Sequence, residues 1–167
     1  MTGDLADMME SNGGALEVVE RVVSAAELQF ERFSTEDLAA EYQGRWGMYQ
    51  LWFAVRQDVQ VMHVSCALDL KIVGSEFDSI YPLLARINER LWLGHFDVWH
   101  SEGQPTWRHS IVFRAGPIPN DQQIADIVGT ALDDCEKYFP AFKEVLNYGT
   151  DPEIAIASAI VDTVGVA

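Results

Sequence analysis

Apolar and polar residues first recur with a helical period and then alternate along the chain. Between residues 15 and 26 the apolar positions lie three and four residues apart, which predicts an amphipathic helix with one buried face: Leu16, Val19, Val22, Val23 and Ala26. In the four runs that follow, apolar and polar residues alternate as they do in strands: residues 28–33, 38–42, 48–55 and 61–70. Short polar turns separate these runs, so we predict an antiparallel meander.

A second helix follows the meander and ends near a glycine. Pro82 is tolerated in the first turn of a helix and not deep inside one, so we place the start at residues 78–79. The pattern continues to Trp92, and Gly94 is expected to end the helix. We also expect Asn88 and Arg90 to tie the end of this helix to the sheet by hydrogen bonds, with Glu89 solvated.

The strand pattern then resumes as a hairpin over residues 95–114, with its turn near residues 102–105. The length of the turn determines which residues share a face. A four-residue turn puts the mainly apolar residues together on the core side: Phe96, Val98, His100, Trp107, His109, Ile111 and Phe113. A five-residue turn would place Arg108 and Arg114 beside Phe96, and we reject it because unpaired buried charges are costly.

Two further helices end the chain. Asn120 and Gln123 have the spacing of a capping box, and the helix that follows has an apolar seam: Ile124, Ile127, Val128, Ala131, Cys135, Tyr138, Phe142 and Val145. Pro140 is expected to kink or break it near Tyr138, and it ends at residues 147–149. Thr150 or Asp151 caps the last helix, with Pro152 at its first position. Its predicted apolar face is Ile154, Ala157, Ile160, Val161 and Val164.

The order of elements predicts the fold class. One helix, four strands, a helix, two strands and two helices indicate an α+β protein, in which helices pack on one face of an antiparallel sheet. Residues 1–14 contain the breaker Asn12-Gly13-Gly14 and are predicted to form a flexible tail. Residues 15–167 are predicted to form a single domain, as the length of 167 residues favours.

The charge of the chain bears on its partners. Acidic residues number 26 against 11 basic ones, a net charge of −15. Phosphate groups would be repelled, so we predict that neither nucleic acid nor a membrane is a partner. The simpler interpretation of the charge is solubility, and the alternative is an acidic surface that attracts a basic partner. We favour solubility, because net charge alone does not define a patch.

The cysteines and the N-terminus point to the cell interior. Cys66 and Cys135 are far apart and lie within apolar patterns, which suits buried, reduced thiols of a cytosolic protein. The first residues are acidic and lack the basic start and apolar run of a signal peptide. No segment has the apolar length of a membrane span. We therefore predict a cytoplasmic protein.

A few polar residues could form a site on the outer face of the sheet. His95, Asp97 and Arg108 are predicted to share that face, with His63 on the same side of a neighbouring strand. They could bind a metal, or provide a general base with an orienting carboxylate. A polar network that fixes strand register is the simpler interpretation, and we favour it. Because metalloprotease, esterase and phosphate-loop motifs are absent from the sequence, we predict no cofactor and no catalytic residue.

Tryptophans mark the same outer face more strongly than the polar residues do. The chain has five, and Trp46, Trp52 and Trp99 are predicted on the strand face away from the helices. An aromatic face of this kind needs a cover. The tail or the C-terminal helix could fold over it, or the face could be a dimer interface or a groove for a peptide. The sequence does not decide between these alternatives.

Several short motifs resemble the YbjN family. They are Asn-Glu-Arg-Leu-Trp-Leu-Gly-His-Phe-Asp at 88–97, Trp-Arg-His-Ser at 107–110, Arg-Ala-Gly at 114–116, Gly-Arg-Trp at 44–46, Tyr-Phe-Pro-Ala-Phe at 138–142 and Thr-Asp-Pro-Glu-Ile-Ala at 150–155. The resemblance covers about residues 15 to 165 and implies a regulator of bacterial sensory transduction. It also implies a fold similar to that of type III secretion chaperones, which commonly dimerise and bind partner polypeptides. It implies no catalytic residues.

We therefore expect a non-enzymatic, chaperone-like homodimer that binds another protein or peptide. The candidate surface comprises seven residues: Trp46, Trp52, Trp99, His63, His95, Asp97 and Arg108. The alternative is a small-ligand or metal-binding sensor, or an enzyme, that uses the His/Asp/Arg cluster. A third hypothesis is a subunit of a larger complex that docks through its acidic surface.

Overall fold

A computed structural model describes residues 14–164. These residues form, in the predicted order, α1 (Ala15–Ala25), β1 (Gln29–Arg32), β2 (Asp37–Gln43), β3 (Met48–Arg56), β4 (Val61–Ala67), α2 (Glu76–Asn88), β5 (His95–Val98), β6 (Pro105–Val112), α3 (Asp121–Tyr148) and α4 (Pro152–Val164). The six strands make one antiparallel sheet in the order β1-β2-β3-β4-β6-β5. The predicted α+β class is confirmed. The tail predicted before residue 14 lies outside the described residues.

Alternation along the strands gives the sheet one buried face. Buried and exposed residues alternate in β3, and the inward side chains of β3 and β4 are almost fully buried: Tyr49, Leu51, Phe53, Val55, Met62, Val64 and Cys66. Helix α1 packs against this layer with Leu16, Val19 and Val23. Burial of each such aliphatic side chain contributes about 1.5–3 kcal/mol. The sheet and α1 therefore share a single core, as the apolar pattern predicts.

Helix α3 covers the centre of the sheet. The predicted capping box is present, since the Asn120 side chain accepts from the Gln123 backbone N–H and the Gln123 side chain accepts from the Asn120 N–H. Every residue of the predicted seam is buried. The helix runs through Pro140 to Tyr148, so a break at Pro140 was a wrong prediction. Buried Phe139, Ala141 and Phe142 surround the proline, and their packing holds the helix together where the local sequence disfavours it.

The two cysteines meet where α3 crosses β4. Cys66 and Cys135 are both free and buried, as predicted. The Cys135 Sγ lies 3.8 Å from the Cys66 carbonyl oxygen. Burial raises the pKa of the Cys135 thiol well above its ordinary value. Cys135 is therefore a packed, protonated side chain rather than a reactive thiolate.

Helix α2 differs from its predicted bounds at both ends. It begins at Glu76 rather than at residues 78–79, and Pro82 lies inside it. The earlier start is stabilised by the Glu76 carboxylate, which accepts from the Val73 N–H at 2.8 Å, and by burial of Phe77. The helix ends at Asn88 rather than at Trp92. These contacts outweigh the local preference of proline for the first turn of a helix.

Asn88 connects α2 to the sheet as predicted. Its side chain accepts from the Phe96 N–H at 2.8 Å and donates to the Phe96 carbonyl at 3.0 Å. Arg90 does not contact the sheet, because its guanidinium donates to Glu153 at 2.7 Å and to the Arg86 carbonyl. The prediction for Arg90 was therefore wrong. Glu89 is exposed and pairs with Arg86.

The β5–β6 hairpin has the predicted faces but a different loop. Residues 99–104 form a six-residue loop, so the four-residue turn was a wrong prediction. Phe96 lies opposite Trp107, and both are buried. The two loop lengths differ by an even number, which preserves the alternation of faces. Three residues predicted in the core are only half-buried, because the core is deepest at the other end of β6: His109, Ile111 and Phe113. His100 was also predicted there, and that prediction was wrong, since it is exposed in the loop after β5.

Gly94 does not end α2, contrary to the prediction, because the helix ends at Asn88; Gly94 instead directly precedes β5. Its φ of +69° lies in the left-handed region. A Cβ at this position would lie 2.2 Å from the Trp107 indole. Glycine is therefore required here both by the backbone conformation and by the close approach to Trp107.

Helix α4 begins as predicted but packs with a different face. The Asp151 carboxylate accepts from the Glu153 N–H at 3.0 Å, and Pro152 is the first helical residue. The buried residues are Ala155, Ile156 and Ala159, whereas Ile154 and Val161 are 61% and 69% exposed. The predicted face was wrong because this helix carries apolar residues on all of its sides. The period of the apolar residues therefore does not identify the side that is buried.

Candidate functional site

Strand register arranges side chains in rows on the sheet face turned away from the helices. Ala39, Trp52, Ser65 and Arg108 lie opposite one another on β2, β3, β4 and β6, and His95 follows on β5. Neighbouring strands are about 4.8 Å apart, so the backbones at Trp52 and Arg108 are separated by about 10 Å. The small Ser65 side chain between them leaves a depression over β4.

A groove of about 690 Å³ follows this depression. Small side chains form its floor: Ala39, Ala54, Ser65, Ala67 and Thr106. On one side Phe33 and Trp52 stack with ring centroids 5.3 Å apart and an interplanar angle of 22°. Trp99 lines the groove from the loop that follows β5. The volume lies in the range of pockets that hold a small molecule.

Arg108 is the one cationic residue among the described residues that line the groove. Its Nη1 donates to the Asp97 Oδ2 at 3.2 Å, and its Nε donates to the His63 Nε2 at 3.2 Å. Its Cζ lies 4.9 Å from the centroid of the Trp99 ring. A guanidinium held by two acceptors and an aromatic ring keeps one orientation. Arg108 is therefore a fixed part of the groove wall.

The contact with Arg108 determines the tautomer of His63. The His63 Nε2 accepts from Arg108, so its ring proton is on Nδ1, which lies 2.9 Å from the Ser110 hydroxyl oxygen. Burial, and then the positive charge of Arg108, lowers the His63 pKa below the ordinary value of 6.5. His63 is therefore neutral at pH 7, in the form that can accept from Arg108.

The structure brings most of the predicted site residues into this groove. His63, Asp97, Arg108, Trp52 and Trp99 all line it. His95 lies on the same face, opposite Arg108, but it is exposed and outside the groove lining. Five of these residues lie on strands at the outer sheet face, as predicted: Trp52, His63, His95, Asp97 and Arg108. Trp99 was predicted on a strand but lies in the loop after β5, from which it lines the groove.

Trp46 was wrongly predicted on this face. It lies in the turn between β2 and β3, where its Nε1 donates to the Glu136 carbonyl at 3.1 Å. Its ring stacks on Phe139 of α3, with centroids 6.4 Å apart and an interplanar angle of 4°. The alternation of a strand does not extend into a turn, and this turn bends towards α3. Trp46 therefore belongs to the helix side of the sheet.

Sequence reasoning missed the floor of the groove and one wall. The signal for the floor is a set of small residues at outward positions of three neighbouring strands: Ala39, Ala54, Ser65 and Ala67. Large outward side chains would have filled the depression. Phe33 follows β1, and its contact with Trp52 depends on how the first three strands pair, which local sequence does not encode.

The helix α4 does not cover the groove. It packs against α2 and α3 on the other side of the sheet. The exposed aromatic wall includes Phe33 at 56%, Trp52 at 39% and Trp99 at 51%. Of the two covers that the sequence left open within the chain, the C-terminal helix is thus excluded over its described residues.

The described residues hold no group of three or more His, Cys, Asp or Glu side chains that could bind a metal ion. None of their helices combines the length and the apolar composition needed to span a membrane. What the groove offers chemically is a stacking surface, a fixed guanidinium, a neutral imidazole and several carboxylates. Groups of these kinds can bind and orient a ligand through aromatic and polar contacts.

Comparison with known proteins gives one family. Residues 15–144 match the model of the YbjN family, whose description is "Putative bacterial sensory transduction regulator". The match covers β1 to β6, and with them the whole groove lining, together with most of α3. No curated protein matches the chain.

Proposed function

Because the chain belongs to the YbjN family, we propose that it is a non-enzymatic regulator that binds another polypeptide in the groove. The family points to a regulatory role in bacterial sensory transduction. The observation that carries the binding role is the groove between two exposed aromatic walls, Phe33–Trp52 and Trp99. In this proposal the protein is a chaperone-like homodimer in the cytoplasm, with neither nucleic acid nor a membrane as partner.

The aromatic walls supply the free energy of binding. Exposed tryptophans bury a large apolar area on association and lose little side-chain entropy, and they are common among the residues that dominate interfaces. The rims of the groove also carry polar groups, which fix the orientation of a bound segment. An extended segment can present alternate side chains to the aromatic walls and to these polar groups.

Photo-crosslinking in the native cell tests the proposal. p-Benzoylphenylalanine replaces Trp52 in one variant and Trp99 in another, so that an aromatic residue replaces an aromatic residue. The matched control replaces Trp92, which is fully exposed and lies outside the groove lining. We expect specific adducts from positions 52 and 99 and none from position 92. Mass spectrometry identifies each adduct as another protein or as a second copy of the chain.

The identity of the adducts shows whether the groove binds another protein or a second copy of the chain. Adducts with another protein support the regulatory binding role, and adducts with a second copy support self-association through the same face. Equal labelling from all three positions, or none from positions 52 and 99, contradicts the use of the groove for polypeptides. Sedimentation of the Trp52→Ala and Trp99→Ala variants then measures whether the homodimer depends on this face.

A small-ligand sensor is the second candidate function. The observation that favours it is the fixed Arg108, held by His63, Asp97 and Trp99 beside a groove of about 690 Å³. Such a site could orient a planar polar molecule between the aromatic walls. Native mass spectrometry of freshly purified protein would detect a bound molecule, and Arg108→Gln should release it.

A further inference from the structure

The β2 end of the groove contains a notch with an acidic border. Ala39 is its floor, with Trp52 opposite on β3 and Glu31 opposite on β1. Asp37 and Glu41 precede and follow Ala39 by two residues, so all three point to the same face of β2. Three carboxylates and the Phe33–Trp52 ring pair thus surround one small side chain.

The three carboxylates lack a cationic partner in the described part of the chain. No salt bridge there involves Glu31, Asp37 or Glu41. Among the described residues, the Asp37 carboxylate accepts from the Ser34 hydroxyl at 3.0 Å and from the Trp52 Nε1 at 3.3 Å, and both donors are uncharged. Arg32 is close in sequence, but its guanidinium pairs with Glu17 and Glu20 of α1. The notch therefore keeps an uncompensated negative potential.

The aromatic pair favours a cation at the same place. Elsewhere in the groove, the Arg108 guanidinium already lies 4.9 Å from the centroid of the Trp99 ring and is held by a carboxylate. The Phe33–Trp52 pair also lies beside carboxylates, and none of the cation–π contacts among the described residues involves either ring. A cation over an aromatic face is attracted by the ring quadrupole, and nearby carboxylates add a Coulomb attraction of their own.

We propose that the bound polypeptide is a basic segment that places an Arg or Lys side chain over Ala39. Its cationic head contacts the Phe33–Trp52 rings between Glu31, Asp37 and Glu41. This inference rests on the proposed function and adds the chemistry of the partner. An acidic segment would meet three like charges at the notch, and a purely apolar segment would leave those charges desolvated.

Three blocked peptides of the form Val-X-Val-X-Val test the inference on the full chain. The residue X is Arg, its neutral isostere citrulline, or Glu, so that shape and charge are varied separately. Isothermal calorimetry measures each affinity, and NMR follows the Trp52 indole N–H. We expect the Arg peptide to bind about tenfold more tightly than the citrulline peptide, with a shift of the Trp52 signal. The advantage should shrink as salt is raised.

Single substitutions test whether the tighter binding of the Arg peptide depends on the notch. Glu41→Gln removes one carboxylate of the notch, and Ala39→Leu fills its floor. Both should bring the affinity of the Arg peptide down towards that of the citrulline peptide. Asp133→Asn is the matched control, because this exposed carboxylate lies on α3 and its removal changes the net charge equally. The control should leave the affinity within about twofold.

The outcomes keep this inference separate from the proposed function. Equal binding of the Arg and citrulline peptides overturns the basic partner but leaves a groove that binds polypeptides. Tighter binding of the Glu peptide overturns it as well, as does equal sensitivity to Glu41→Gln and Asp133→Asn. If no peptide binds, the inference also fails, and the crosslinking experiment alone decides the proposed function.

Discussion

At the scale of single residues, the hydrogen bond between Arg108 and His63 couples the orientation of the guanidinium to the protonation form of the imidazole. The imidazole can accept from the guanidinium only while it is neutral. Burial, and then the positive charge of the guanidinium, favours this neutral form by lowering the His63 pKa. Asp97 offsets part of the charge of Arg108 from the other side. The polar part of the groove is therefore a coupled unit, in which a change of one protonation state disturbs several contacts.

We predict that His63 titrates below its ordinary pKa of 6.5 in the folded protein. NMR of the ring protons should show this midpoint, and Arg108→Gln should raise it without restoring 6.5, because burial is the larger cause. A wild-type midpoint at or above 6.5 would contradict the geometry described for the groove.

The same shift makes stability depend on pH. The folded-state pKa is lower than the unfolded one, so the unfolded chain binds the extra proton as the pH falls through 6.5. The free energy of unfolding should therefore decrease between about pH 7.5 and about pH 5.5. In urea titrations the His63→Gln variant should lose less stability over this interval than the wild type. An equal loss would show that His63 does not contribute.

At the scale of elements, the two outer strands of the sheet are protected differently. Asn88 pairs with both backbone groups of Phe96 and so closes the outer side of β5 as a neighbouring strand would. In the described part of the chain, no backbone group pairs with the outer side of β1. That strand is short and carries Glu31 and Arg32, features that discourage unwanted strand pairing.

We predict that Asn88→Ala destabilises the fold by about 1–3 kcal/mol, because it leaves the N–H and the carbonyl of Phe96 without their partners. Urea unfolding measures the loss, and hydrogen exchange at the Phe96 amide should accelerate. Asn147→Ala is the control, since Asn147 is exposed near the end of α3, and it should change stability by less than about 0.5 kcal/mol. Equal effects of the two substitutions would rule out the bridging role of Asn88.

Sequence patterns predicted the elements whose signal is local. The alternation in β3 and the Asn120 capping box each depend on near neighbours, and both were confirmed. The start of α2 predicted from Pro82 and the break in α3 predicted from Pro140 were wrong, because tertiary packing decides whether a helix tolerates a proline. The placement of the polar groove residues on the outer face could be predicted from the alternation of side chains along each strand. Its second wall did not, because Phe33 reaches Trp52 only after β1, β2 and β3 have paired.

At the scale of the whole molecule, acidic charge dominates. The chain has 26 acidic and 11 basic residues. Among the described residues, half of the eight salt bridges join two well-exposed side chains, as Arg56–Asp58 and Arg21–Asp121 do. Exposed pairs contribute little to stability. The excess of like charge therefore opposes compaction, and its effect extends over the entire surface.

We predict that sodium chloride stabilises the folded protein between about 20 and about 200 mM, because it screens repulsion more than it weakens exposed pairs. The urea midpoint should rise with salt. A variant with Glu27→Gln and Asp133→Asn, both exposed, should show a smaller rise. A midpoint that falls with salt would mean that the ion pairs outweigh the repulsion.

The contact between Asn88 and Phe96 also limits how copies of this protein could polymerise. A sheet with two free rims can grow without end, as fibrils do, because every added molecule offers a new rim. Among the described residues, the outer side of β1 is the only sheet edge open to a further strand. Two molecules joined through β1 would expose only their β5 edges, where Asn88 occupies the backbone groups of Phe96, so growth by strand addition would stop at a pair.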